Sequence, residues 1–281
     1  MRKFKALLKK DWYIHKKSIL TPFWIIAAFY LINIIFITGA YFSGNLDIIS
    51  QNDLEQVPAD AVSFIANSVI TVFPGLLLLL FVIITTQGAL NEDRRLKYEL
   101  FHRSQPVSIW QMTASKFSVG VLGNYLIFII ISILNAMVLN VILFNIDAFH
   151  FSSALYGMLF AQLIYLKGAL IIGAFAFFMS SIFESAAFFK FISIMIALNI
   201  IILIINGIYG WQIPTPMKYF RMIINTMPAM DNLSNDNFLV SEIIKASWKG
   251  IVFSMQTLYQ LIAVAVLYAG GTFIYSRKEI A

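Results

Sequence analysis

Side chains able to hold a proton, a metal or a phosphate are few in this chain. The three histidines, His15, His102 and His150, are far apart, and no His-Glu-x-x-His or comparable metal-ligand spacing occurs. Cysteine is absent, which excludes disulfides, thiolate nucleophiles, Cys-ligated zinc and iron–sulfur clusters. Nor is there a Gly-x-x-x-x-Gly-Lys-Ser/Thr loop to cradle nucleotide phosphates. Serines are common in the apolar stretches, but no base accompanies them there. Catalytic, cofactor-binding and metal sites are therefore not expected within the chain.

The densest set of charges is NEDRRLKYELFHRSQPVS, residues 91–108. Read as a helix, it makes Asp93–Lys97, Arg95–Glu99 and Glu99–Arg103 pairs at i,i+4, each worth about 0.2–0.5 kcal/mol. Pro106 limits that helix, because the residue before proline avoids the helical region. Beyond it, residues 107–116 can start a new helix. A loop needing only positive charge would not also require Glu92, Asp93 and Glu99. The mixture favours a shaped, protein-contacting surface over a merely solvated loop. Lys167 is the one ionisable residue near the middle of a long apolar run. Such a residue commonly faces a cavity or pairs inside a bundle; the bland alternative is a snorkelling or carbonyl-bonded lysine.

The elements that hold these residues follow from composition. Of 281 residues, 60% are hydrophobic and 12% charged, with a mean hydropathy of +0.81. Soluble domains are about 45–50% apolar and about 25% charged. An ionised side chain at the bilayer centre costs roughly 2.5–3.5 kcal/mol, so residues 91–108 must lie in water. An all-α, multi-pass membrane protein is expected, forming a single transmembrane domain over 1–281. Six stretches approach the roughly 20 apolar residues needed to cross: about 19–42, 64–89, 117–144, 155–182, 188–209 and 251–275. Pro74-Gly75 predicts a kink inside the second. The first apolar run is too long for a signal h-region of about 7–15 residues and is read as a retained span.

Basic residues set the orientation. Arg2, Lys3, Lys5, Lys9, Lys10, Lys16 and Lys17 precede the first span, and six spans put 91–108 and Arg277-Lys278 on that same side. Residues 43–63 carry Asp47, Asp53, Glu55 and Asp60 without Lys or Arg, and 145–153 carries only Asp147. Both termini are expected in the cytoplasm of a bacterial cell, in its cytoplasmic membrane. The loop 210–250 then lies outside despite Lys218, Arg221, Lys245 and Lys249, with YFRMIIN and SEIIKASW as two short helices at the outer leaflet. The net charge of +6 thus reflects membrane orientation rather than nucleic acid. Residues 1–17 predict an amphipathic helix in the inner headgroup region, contacting lipid or a partner. Its face of Phe4, Leu7, Leu8, Trp12 and Ile14 opposes Arg2, Lys5, Lys9 and Lys16, and Asp11 and His15 intrude on the apolar side.

The sequence resembles the permease subunits of ABC-2 type transporters, the exporter family with six spans per subunit. The likeness rests on Glu92-Asp93-Arg94-Arg95, Glu99-Leu100-Phe101, Pro106-Val107-Ser108 and Lys116. The basic start LLKKDWYIHKK, the proline-containing loop before the last span and the Arg-Lys-Glu ending also match. Leu96-Lys97-Tyr98 stands where the family often has Gly-Thr. The resemblance implies a membrane half of a transporter, paired with a second permease subunit as a homodimer or heterodimer. Separate cytoplasmic ATPase subunits would hold the ATP and Mg; this chain would need no cofactor. Residues 91–105 would be a coupling helix, with Glu92, Asp93, Arg94, Arg95, Lys97, Glu99, Leu100, Phe101 and Arg103 contacting the ATPase. Glu184, in the turn after the fourth span, would join that face. Phe4, Leu8, Lys9, Asp11 and Trp12 would belong to an interface helix, and Lys167 to the translocation path. Two rival classes are a stand-alone secondary transporter or channel, and a membrane anchor of a larger assembly.

Overall fold

In the computed structural model the described residues are 2–43, 59–91, 107–144, 150–218, 223 and 254–277. Among them the chain is helical apart from short turns and contains no strand. The elements are α1 (Arg2–Phe42), α2 (Ala59–Val69), α3 (Val72–Gln87), α4 (Ile109–Ser118), a π-helical turn (Val119–Gly123), α5 (Asn124–Phe144), α6 (Phe151–Ile182), α7 (Ala187–Tyr209) and α8 (Met255–Arg277). Among the described residues, five stretches are long and apolar enough to cross a membrane: Asp60–Gln87, Ile109–Asn140, Phe151–Ile182, Ala187–Tyr209 and Met255–Arg277. The chain is a multi-pass, all-α membrane protein.

Burial supports that placement. In α7, Ile196, Ile200, Leu203 and Ile208 are each more than half exposed, and only Ala187 and Phe188 are buried. A helix apolar on every side and uncovered by protein is stable only against lipid. The core forms instead around α6, at 32 residues about 48 Å long. α2 and α3 pack on one side of it and α8 on another. Small residues bring these helices close, which is how spans associate when lipid removes the hydrophobic drive between them. A Cβ on Gly157 would collide with the Phe64 carbonyl of α2. One on Gly271 of α8 would lie 3.2 Å from the Phe178 Cα.

Two ends of the bundle can be distinguished. α2 and α6 begin and α5 finishes at the Asp60 end; α3 finishes, α4 begins, and α6 and α8 finish at the Asn91 end. The second expected span breaks at Ile70–Thr71 rather than at Pro74-Gly75. Proline acts four residues upstream, where its missing N–H leaves the Ile70 carbonyl without a partner and its ring crowds it. Thr71 Oγ1 donates to the Ser68 carbonyl at 2.7 Å, supporting the break.

The sequence reading separates an amphipathic helix from a first span near residue 18; the structure runs both through one helix, α1, across Pro22. Residues 92–106 and the 210–250 loop apart from 210–218 and Ile223, and with it both expected short helices except Ile223, lie outside the described residues.

Candidate functional site

At the Asn91 end the flanks of residues 92–106 are rooted in one cluster. After α3, Ala89 and Leu90 are buried against Met112 of α4, Phe177 of α6 and Tyr275 of α8. Asn91 is buried too, and its amide donates to the Gln87 carbonyl at 3.0 Å, closing the helix end. The chain re-enters through Ser108, an extended residue whose hydroxyl accepts from the Gln111 N–H at 3.3 Å. That is an ordinary N-cap, and it starts α4 where the proline signal had placed a new helix. Aromatic rings fill the junction of α4, α6 and α8. Phe117 meets Phe177 edge-on at 5.5 Å, and Phe177 stacks on Tyr268 at 5.7 Å. Tyr268 Oη donates to the Trp110 carbonyl at 3.2 Å, and Thr272 Oγ1 donates to Thr113 Oγ1 at 3.2 Å. Both flanks of the charged segment therefore stand on one platform shared with α6 and α8.

α1 is fastened to the same platform by a buried carboxylate. Asp11 has no exposed surface; its Oδ2 accepts from Ser115 Oγ of α4 at 2.5 Å, and its Oδ1 lies 3.5 Å from Lys10 Nζ. Asp11 therefore does not spoil an apolar face; it anchors that face. Leu7 is buried, and Phe4, Leu8 and Trp12 are half-buried, Leu8 and Trp12 packing with the cluster of Ile19, Val119 and Ile127. Lys9 is exposed. Ile14 departs from the expected face and is 56% exposed, because the stripe that packs on α4 runs through Leu7 and Asp11 instead.

The π turn lies directly behind. Its widened backbone presents the Gly120 carbonyl, which accepts from Asn124 Nδ2 at 2.7 Å and has the Thr85 hydroxyl of α3 at 3.1 Å. Asn124 Nδ2 also donates to Thr85 Oγ1 at 3.1 Å. Thr85 and Asn124 carry no charge, so neither stands out in a search for reactive groups. Their polarity inside long apolar runs is the signal that could have found them.

Of the residues singled out from sequence, Glu92, Asp93, Arg94, Arg95, Lys97, Glu99, Leu100, Phe101 and Arg103 lie outside the described residues. Glu184 is exposed in the turn between α6 and α7, at the Asn91 end. Lys167 is elsewhere: it sits on α6 ten residues from Phe177, about 15 Å along the axis. Half-buried, it donates through Nζ to Thr257 Oγ1 at 2.9 Å. Thr257 is in the first turn of α8, where its hydroxyl is 2.9 Å from that of Ser254.

At the Asp60 end the structure joins a further pair. His150 Nδ1 lies 2.7 Å from Asp60 Oδ1, Ser153 Oγ donates to the same oxygen at 2.9 Å, and the His150 N–H donates to Ser63 Oγ at 2.9 Å. These contacts tie the start of α6 to the start of α2. The serine reaches the carboxylate and not the imidazole, so this is a clasp and not a nucleophile–base pair. Among the described residues no group of three or more His, Cys, Asp or Glu side chains could hold a metal ion. No protein-family model matches the chain, and comparison with curated proteins and with solved structures finds no similar protein.

Proposed function

We propose that this chain is the membrane subunit of an ATP-driven transporter of the ABC-2 permease kind, an exporter working with separate ATPase subunits. The reading takes six spans, with the second half of α1 as the first, both termini cytoplasmic, and a second permease subunit beside this one. One observation carries it. A segment dense in both signs of charge has both of its flanks seated among α4, α6 and α8. A push delivered to those flanks moves the helices they are seated among. The Asp11–Ser115 contact adds the N-terminal helix to the same moving part. The lack of a phosphate-binding loop fits a chain whose motor is a separate protein.

The experiment is charge reversal in the segment. Glu99→Arg, alone or with Arg95→Glu, removes the i,i+4 pairs that a helical reading gives Glu99 with Arg95 and Arg103, together worth about 1 kcal/mol at most, so insertion and thermal stability stay near wild type. Losing a charge from a buried hydrogen-bonded interface costs about 2–5 kcal/mol. ATPase recruitment in a pull-down, or coupling of hydrolysis to transport, is therefore expected to fall well over tenfold. Variants that recruit and couple like wild type would reduce residues 91–105 to a solvated loop.

The half-buried Lys167 and its Thr257 contact favour a second reading, a stand-alone transporter with an ionisable group in its path. Substrate movement without any ATPase would decide for it.

A further inference from the structure

α1 carries a single acidic side chain, Asp11, and that side chain is fully buried against Ser115. The charge left outside is basic. Lys3, Lys5, Lys9, Lys16 and Lys17 are exposed, and two of them gather on one ring. Lys9 Nζ lies 6.0 Å and Lys16 Nζ 5.3 Å from the ring centre of Tyr13, itself 56% exposed. Among the described residues no carboxylate pairs with either lysine. Two ammonium groups held at one ring repel each other unless an anion sits between them.

Further along, the same face turns apolar. At about 100° per residue, Lys9, Tyr13, Lys16, Leu20 and Trp24 fall within about 80° of one another, and both Leu20 and Trp24 are exposed. Asp11 meets Ser115, Ile19 packs on Val119 and Ile127, and the Tyr30 hydroxyl donates to Asn135. α1 therefore keeps step with the membrane-crossing stretch Ile109–Asn140. At 32 residues that stretch is about 48 Å long, which centred on roughly 30 Å of hydrocarbon leaves about 9 Å beyond it at each end. Lys9 and Tyr13 thus stand at the headgroups and the hydrocarbon boundary, and Lys16 reaches back toward them. Leu20 and Trp24 lie about 6 and 12 Å beyond Lys16, at the depth of acyl chains.

We propose that this stripe of α1 binds an anionic phospholipid from the leaflet on the Asn91 side. The phosphate sits between Lys9 and Lys16 at Tyr13, and an acyl chain runs along Leu20 and Trp24. A soluble acidic partner would answer the lysines and leave the apolar half uncovered. A zwitterionic lipid would cover the apolar half and answer the lysines poorly. A molecule anionic at one end and apolar along the rest meets both. The inference needs only a chain that crosses a membrane, so it stands or falls apart from the ATPase reading.

The test uses the full chain in phosphatidylcholine nanodiscs with two photoreactive probes, a phosphatidylglycerol and a phosphatidylcholine carrying the same diazirine-bearing acyl chain. Labelled residues are mapped by mass spectrometry. Saturable labelling of residues 20–31 by the phosphatidylglycerol probe is expected, with the phosphatidylcholine probe about tenfold or more weaker, since each lysine near an anionic lipid is worth about fivefold. Salt at about 1 M, where screening acts within about 3 Å, should narrow that preference. Lys9→Gln and Lys16→Gln should each lower phosphatidylglycerol labelling about fivefold and leave phosphatidylcholine labelling unchanged. Lys190→Gln, at an exposed lysine of α7 near the same end, should change neither. Glycerophosphate, the headgroup without its chains, should not displace the probe; displacement would make this a site for a free anion and sink the proposal. Equal labelling by the two lipids in the wild type would overturn it and leave the lysines to a soluble partner. So would a phosphatidylglycerol preference that survives in the double variant. The wild-type comparison needs no variant, so a misfolded substitution cannot rescue the idea.

Discussion

Asp11 and Ser115 offer the sharpest test of how α1 is held. The carboxylate is fully buried and has two contacts of unequal weight: Ser115 Oγ at 2.5 Å and Lys10 Nζ at 3.5 Å. Lys10 remains about a third exposed, so its share is that of a screened surface pair, about 0–1 kcal/mol. The serine bond is short, buried and charge-assisted, which puts it at about 1.5–3 kcal/mol. Asp11→Ala and Ser115→Ala should each loosen residues 2–18 from α4. The double variant should cost less than the sum of the singles by about 1.5–3 kcal/mol, the interaction energy itself. Hydrogen–deuterium exchange of that segment in nanodiscs reads the opening directly. Asp11→Ala should speed exchange of the amides around position 11 by about 10- to 150-fold while α6 amides keep wild-type protection. Lys10→Ala should change it by less than about fivefold. An interaction energy within about 0.5 kcal/mol of zero would refute the reasoning and leave α1 held by its apolar stripe alone.

Three further outcomes are expected. Lys167→Met removes the donor to Thr257 and should lower transport in vesicles while expression and membrane insertion persist; full transport by the variant would make Lys167 a structural or snorkelling lysine. Ala186 sits at φ 47 and ψ 39, a left-handed conformation that costs an L-residue about 1–2 kcal/mol. Ala186→Gly should therefore raise stability by about 0.5–1 kcal/mol in thermal unfolding in detergent, and a loss of stability would contradict it. Single cysteines replacing Ser50 and Asn235 should react with an impermeant maleimide on sealed cells, and one replacing Ser104 only after permeabilisation; the reverse pattern would invert the orientation.

The helical class and the apolar stretches that form α3, α5, α6, α7 and α8 could be read from hydropathy, because lipid forces backbone hydrogen bonds into helices and demands a fixed apolar length. The start of α4 was readable as well, since the restriction before Pro106 and the Ser108 cap are local effects. Contacts between distant residues were not. Asp11 looked like a flaw on its helix because a helical wheel sorts residues as if water and lipid were the only neighbours; its partner Ser115 is 104 residues away. The Asp60–His150 clasp was hidden for the same reason. Lys167 is central along its own helix, yet it meets the first turn of α8, because neighbouring helices start at different depths.

The two glycine contacts on α6 carry a mechanical consequence. Gly157 binds α2 near one end of this helix, and Phe178 is gripped by Gly271 of α8 near the other. At Gly157 backbone meets backbone, and at Gly271 the Phe178 backbone closes on the helix with the Phe177 ring packed beside it. Rotamer changes, which let ordinary interfaces absorb strain locally, have little room at such close approaches. α6 is then a lever whose two clamps stand about 32 Å apart, and a tilt of about 5° at one clamp displaces the other by about 3 Å. Displacing α8 at the Asn91 end should therefore shift α2 at the Asp60 end, with the helix itself as the transmission.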